Sequence, residues 1–163
     1  MGGYIASSAR VIEYLKSHAA GLLYHTSMSP IVCAQILRAF QVISGVDGTT
    51  VGREKIARLR QNSNYFRDEM KRIGFHVLGD YDSPIVPVMI YLPSKIAAFS
   101  RECIERGLGI VVVGFPATPV ILSRARFCIS AGHTMEDLKK AVVILEDVAT
   151  RLQLKYSNSA LGS

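Results

Sequence analysis

Apolar residues recur at helical spacing through the first seventy or so positions, then give way to short β-type runs after Gly74. The first stripe, Ser8 to Ala20 with Val11, Ile12, Tyr14 and Leu15, predicts a helix that Gly21 stops. A short apolar run, Leu22-Leu23-Tyr24, leads into His25-Thr26-Ser27-Met28-Ser29-Pro30, where Ser29 reads as an N-cap and Pro30 as the first helical residue. The helix beyond carries Val32, Ile36, Phe40 and Ile43, and Gly45-Val46-Asp47-Gly48 breaks it. A long amphipathic helix follows, from about Val51 to Ile73. Ile56, Leu59, Phe66, Met70 and Ile73 share its apolar face, while Arg53, Arg60, Arg67 and Lys71 point largely elsewhere.

Beyond Gly74, Phe75 to Leu78 and Ile85 to Tyr91 read as strands around the turn-rich Gly79 to Pro84. Ser94 caps a helix to Arg106, Leu108 to Val113 is a buried strand, and Arg124 to Ile129 is another. Thr134-Met135-Glu136-Asp137 resembles a capping box opening a last helix with Leu138, Val142, Leu145 and Val148. The expected organisation is therefore a helical piece over 1–74, a compact α+β layer over 75–156, and a frayed tail over 157–163. A helical first piece without a sheet to cover reads as the end of a larger α/β domain, so the chain is expected to be a fragment. Residues 5 to 70 should then expose apolar surface.

Composition narrows the class. In 163 residues, 49% are hydrophobic and 20% charged, which excludes an intrinsically disordered chain. The net charge of +6 could suit a phosphate-bearing or acidic partner, but the cations are scattered, which favours a solvated surface, and no nucleic-acid partner is expected. Cys33, Cys103 and Cys128 form no CxxC pair, which argues against a zinc site or disulfide framework and suits a reducing compartment. No signal peptide or membrane span is expected; Leu108 to Leu122, the most apolar stretch, is too short and holds Pro116 and Pro119. Membrane association would have to come through other segments or a partner.

Four features could carry chemistry. Thr26 and Ser27 stand before a helix start, where hydroxyls and exposed amides suit a phosphate dianion; on spacing alone an ordinary capping cluster is favoured. Gly114-Phe115-Pro116-Ala117-Thr118-Pro119 is a rigid loop with one hydroxyl, equally a site-lining loop or a plain connection. Arg124 and Arg126 share one face of a strand, which fits carboxylate recognition as well as it fits an edge strand salt-bridged to a neighbouring helix. His133, at a strand-to-helix junction, reads as structural.

Taken in series, five segments resemble a known family: Gly2-Gly3-Tyr4-Ile5, Thr26 to Pro30, Asp82 to Pro87, Val111 to Pro119 and Arg124 to Thr134. They are similar to the C-terminal part of the catalytic (second) subunits of eukaryotic serine palmitoyltransferases. These are pyridoxal phosphate (PLP)-dependent α-oxoamine synthases of aminotransferase fold type I. The similarity runs from residue 1 to about 156, and the Phe115 to Pro119 loop favours this subunit over relatives that make aminoketobutyrate, aminolevulinate or aminooxononanoate.

The resemblance implies an α/β fold, the helical end of the large PLP domain plus the small α+β C-terminal domain. It implies condensation of L-serine with palmitoyl-CoA to 3-ketosphinganine with loss of CO2, in a heterodimer with a non-catalytic first subunit. The expected location is the cytosolic face of the endoplasmic reticulum membrane. By motif, Thr26 with Ser27 would hydrogen-bond the cofactor phosphate of the partner subunit's active site, Arg126 would hold the substrate carboxylate, and Pro116, Ala117 and Thr118 would form the loop over bound substrate. Arg124 would be a supporting residue, and His133 has no chemical role. The family's Schiff-base lysine precedes the glycine-glycine-tyrosine motif, and no lysine of this chain stands in that context. The chain alone is therefore expected to be inactive. Another α-oxoamine synthase, or a non-catalytic interaction subunit, is the alternative.

Overall fold

The computed structural model describes residues 4–156; Gly2 and Gly3 of the first matching segment, and the expected tail, lie outside them. The described chain forms two compact units, one up to Arg53 and one from Glu54 onward.

The first unit is helical. It holds α1 (Ala9–His18), α2 (Ala20–Tyr24), α3 (Pro30–Ser44) and the first residues of α4 (Val51–Ile73). Pro30 occupies the first turn of α3, and Gly45 ends it in the left-handed conformation (φ 76°), where a side chain would be strained. α1, α2 and α3 bury no residue fully. Tyr24 is 85% exposed, Ile31 76% and Leu37 63%, so the expected apolar surface is present in this unit. One close approach stands out. A Cβ on Gly52 would lie 2.1 Å from the Val42 carbonyl oxygen, so only glycine lets the first turn of α4 meet the α3 backbone.

The second unit has its own core. Its three-stranded sheet has the order β1-β3-β2, with β1 (Ile85–Tyr91) and β2 (Val111–Val113) both antiparallel to β3 (Ser123–Cys128). Val86, Val88, Ile90, Ala125 and Phe127 bury one face of the sheet. Phe66, Met70 and Ile73 of α4 join this core with Phe99 of α5 (Pro93–Glu105) and Leu138, Val142, Leu145 and Val148 of α6 (Met135–Arg151). Phe66 and Phe127 meet at 5.2 Å between ring centroids. The long helix thus packs with the α+β layer, and the compact units divide at Arg53 rather than near residue 74.

Several local expectations shift. Phe75 to Leu78 is not a strand; only Val77 bridges β1, at Val88. The strand expected over Leu108 to Val113 shortens to Val111–Val113. α5 begins at Pro93, with Leu92 as its N-cap, two residues before the expected Ser94 cap. Ile56 is 50% exposed despite its place on the apolar stripe, because it precedes the part of α4 that meets the sheet. Arg67, expected to point largely away from the apolar face of α4, is fully buried. Its Nη1 donates to the carbonyls of Leu78 (2.6 Å) and Gly79 (3.0 Å), and Nη2 to that of Ile85 (3.1 Å). These bonds tie the loop before β1 to α4.

Candidate functional site

β3 is the central strand, so its residues are held by ladders on both sides. Arg126 pairs with Pro87 of β1 and Val111 of β2; Arg124 pairs with Met89 and Val113. The strand's burial alternates, with Ser123, Ala125 and Phe127 buried and Arg124, Arg126 and Cys128 on the other face. Neither arginine forms an ion pair among the described residues. The edge-strand salt bridge weighed for this pattern is therefore absent: the strand is internal and both guanidinium groups are unpaired. Arg124 is half-buried and Arg126 exposed.

Arg126 lines a cavity of about 270 Å³ together with Cys128, His133, Asp137, Leu108 and Phe66. The far wall is fixed by backbone-directed hydrogen bonds. The Ser130 amide donates to His133 Nδ1 (3.2 Å), and Asn62 Nδ2 donates to the carbonyls of Ser130 (3.2 Å) and His133 (2.9 Å). His133 is thus a structural residue of the turn. A neutral His133 accepting at Nδ1 carries its proton on Nε2. Asp137 closes the expected capping box, with its backbone amide donating to Thr134 Oγ1 and its carboxylate accepting from the Thr134 amide. The Thr134 hydroxyl, then the Thr134 amide, hold its pKa below the ordinary carboxylate value. Engaged this way, Asp137 leaves the Arg126 guanidinium free to meet an incoming carboxylate.

The loop after β2 runs from Gly114 to Pro119. The Thr118 amide donates to the Gly114 carbonyl at 3.2 Å, which tightens it. Phe115, Pro116 and Ala117 are exposed. Thr118 is only 6% exposed, and its Oγ1 has no hydrogen-bond partner. Leaving a buried hydroxyl unpaired costs about 1–3 kcal/mol, so such an atom marks either stored strain or a place kept for a ligand.

In the first unit, Thr26 and Ser27 are exposed and outside any helix or strand before α3, and neither hydroxyl has a partner among the described residues. Ser29 makes no side-chain cap, so the free amides of the first helical turn stay available. Unengaged hydroxyls beside a helix start supply the donors that a phosphate dianion takes, so this cluster fits the phosphate of PLP. No group of acidic, His or Cys residues among those described could hold a metal ion.

Sequence reasoning singled out Arg126, Thr26, Ser27 and the loop, and the structure adds three residues to them. Asn62 fixes the 130–133 turn, Arg67 pins the approach to β1, and Ser123 sits beneath the loop. Asn62 and Arg67 are polar positions on an amphipathic helix and Ser123 a lone serine, and nothing in their spacing marks them.

Residues 1–145 match the family model described as aminotransferase class I and II, and the chain belongs to that family. It is 52% identical over 155 residues to long chain base biosynthesis protein 2a of Oryza sativa subsp. japonica, covering 95% of this chain and 32% of that protein. Against serine palmitoyltransferase 3 of Homo sapiens it is 44% identical over 156 residues, 96% of this chain and 28% of the relative. The chain spans about a third of the length of these relatives. A solved serine palmitoyltransferase of Sphingomonas wittichii shares the fold, with TM-score 0.71 and 19% identity over 92% of this chain and 36% of that one. A structure of SPT with PLP aligns at TM-score 0.72 and 21% identity, over 91% of this chain and 36% of that chain. The α/β fold expected for a PLP-dependent transferase is the fold observed.

Proposed function

We propose that the chain supplies the carboxylate clamp and part of the cofactor cradle of a serine palmitoyltransferase. The reaction would join L-serine to palmitoyl-CoA, releasing CO2 and CoA and leaving 3-ketosphinganine. The observation that carries this reading is the unpaired Arg126 guanidinium on the central strand, lining a cavity whose carboxylate is already engaged. The names of the relatives support the substrate pair.

Arg126 would grip the serine carboxylate through charge-assisted hydrogen bonds and fix the orientation of the amino acid. Its anchorage on both sides limits the geometric freedom of that grip. Pro116, Ala117 and Thr118 would cover the bound amino acid and exclude water. Thr26 and Ser27 would hold the phosphate of PLP in the partner subunit's active site; PLP, when bound, supplies an electron sink for the amino acid's α-carbon. The enzyme would work as a heterodimer with a non-catalytic first subunit at the cytosolic face of the endoplasmic reticulum membrane. No helix among the described residues is long and apolar enough to cross a membrane.

The test is Arg126→Ala in the holoenzyme, with CoA release followed against L-serine concentration. Losing a hydrogen bond to a charged group at about 1.5–3 kcal/mol should raise the KM for L-serine by roughly 10- to 150-fold, with the cofactor's absorbance kept. An unchanged serine dependence would remove Arg126 from the site. Faster turnover with glycine or L-alanine than with L-serine would assign the chain to another α-oxoamine synthase.

A further inference from the structure

Both ends of the Gly114–Pro119 loop converge on one buried atom. Ser123, the first residue of β3, is fully buried, and its Oγ donates to the Val120 carbonyl at 3.0 Å. Val120 opens the single 3-10 turn, Val120–Leu122, that closes the loop onto β3, and the Leu122 amide donates to the Pro119 carbonyl at 2.9 Å. On the other side, a Cβ built on Gly114 would stand 3.3 Å from the same Ser123 Oγ. The hydroxyl therefore fills the space between the end of β2 and the turn after the loop. Ser123 lies three residues before Arg126 on the same strand.

From this geometry we infer that Ser123 is a positioning residue. Its hydroxyl, packed under Gly114 and bonded to Val120, sets the height of the Pro116–Thr118 loop over the strand that carries Arg126. The inference rests on the reading above, in which this loop covers the bound amino acid. It explains how Thr118 is kept buried with its hydroxyl unpartnered. A loop free to move would turn that hydroxyl out to water, and a clamped loop cannot. Gly114 belongs to the same device, because any side chain there would press on Ser123 from the opposite side.

The experiment compares Ser123→Ala, Ser123→Thr, Gly114→Ala and the Ser123→Ala/Gly114→Ala double variant in the holoenzyme, measuring kcat and the KM values for L-serine and palmitoyl-CoA. Loss of one hydrogen bond should raise the KM for L-serine about 3- to 10-fold in Ser123→Ala, with the KM for palmitoyl-CoA and the cofactor spectrum held. Ser123→Thr, which keeps the hydroxyl, should fall closer to wild type. Gly114→Ala should show the same serine-selective defect, and the double variant less than the product of the two single effects, since the smaller residue makes room for the added methyl. A lowered melting temperature with both KM values unchanged would overturn the inference, as would equal rises in both or strictly multiplicative effects. Wild-type enzyme without serine-dependent CoA release would instead overturn the functional reading.

Discussion

Arg67→Met tests how the sheet is held in place. The wild-type guanidinium is fully buried, with three carbonyl acceptors, a bare Nε and no acidic partner among the described residues. Methionine keeps much of the volume and removes both the charge and the three bonds. Each orphaned buried carbonyl costs about 1–3 kcal/mol. Gly79 and Ile85 are exposed residues whose carbonyls can recover water, while Leu78 is half-buried. Against this, the variant no longer buries a cation, whose desolvation costs several kcal/mol. Three lost bonds from a charged donor, at about 1.5–3 kcal/mol each, exceed that relief and leave a destabilisation of about 2–4 kcal/mol. Urea unfolding followed by far-UV circular dichroism measures it, with an unchanged m-value showing that the difference lies in stability. A variant within about 0.5 kcal/mol of wild type, or more stable, would refute the argument; burial of the charge would then outweigh its bonds, as it does in some buried ion clusters.

Two further outcomes follow from packing and charge. Gly52→Ala should destabilise the helical unit, although alanine in a helix normally gains up to about 1 kcal/mol, because its Cβ would overlap the Val42 carbonyl; a raised melting temperature would refute the close approach. Thr134→Ala should cost about 1 kcal/mol at neutral pH through the lost cap. The folded-state pKa of Asp137 is lowered chiefly by the Thr134 hydroxyl, so the stability it brings is present above the ordinary value of 3.8 and is lost as pH falls through the folded value. The gap between wild type and Thr134→Ala should therefore narrow below about pH 4, and a gap constant with pH would show that Asp137 is not coupled to the cap.

The chain's order of elements was legible because each carries its own local signal. Pro30 and Gly45 bound α3, and Thr134 with Asp137 opens α6, through bonds among residues close in sequence. The unpaired arginines were visible as a strand pattern, since residues two apart share a face whatever surrounds them. Whether that strand lay at the edge or the centre was not visible, because β3 takes its partners from segments 32 or more residues upstream and 11 or more upstream. The division between units was hidden for the same reason. The helical period of α4 runs unbroken from Val51 to Ile73, and only contact with the sheet distinguishes Phe66 from Ile56.

Sequence by itself determined where helices start and stop, and which side chains could bind anions. Tertiary structure alone decided which of those side chains stayed free. Arg67 and Arg126 are the same residue type, yet one spends its charge on three carbonyls inside the protein while the other bonds to none among the described residues. That difference is set by neighbours brought in from distant segments, and no local pattern records it.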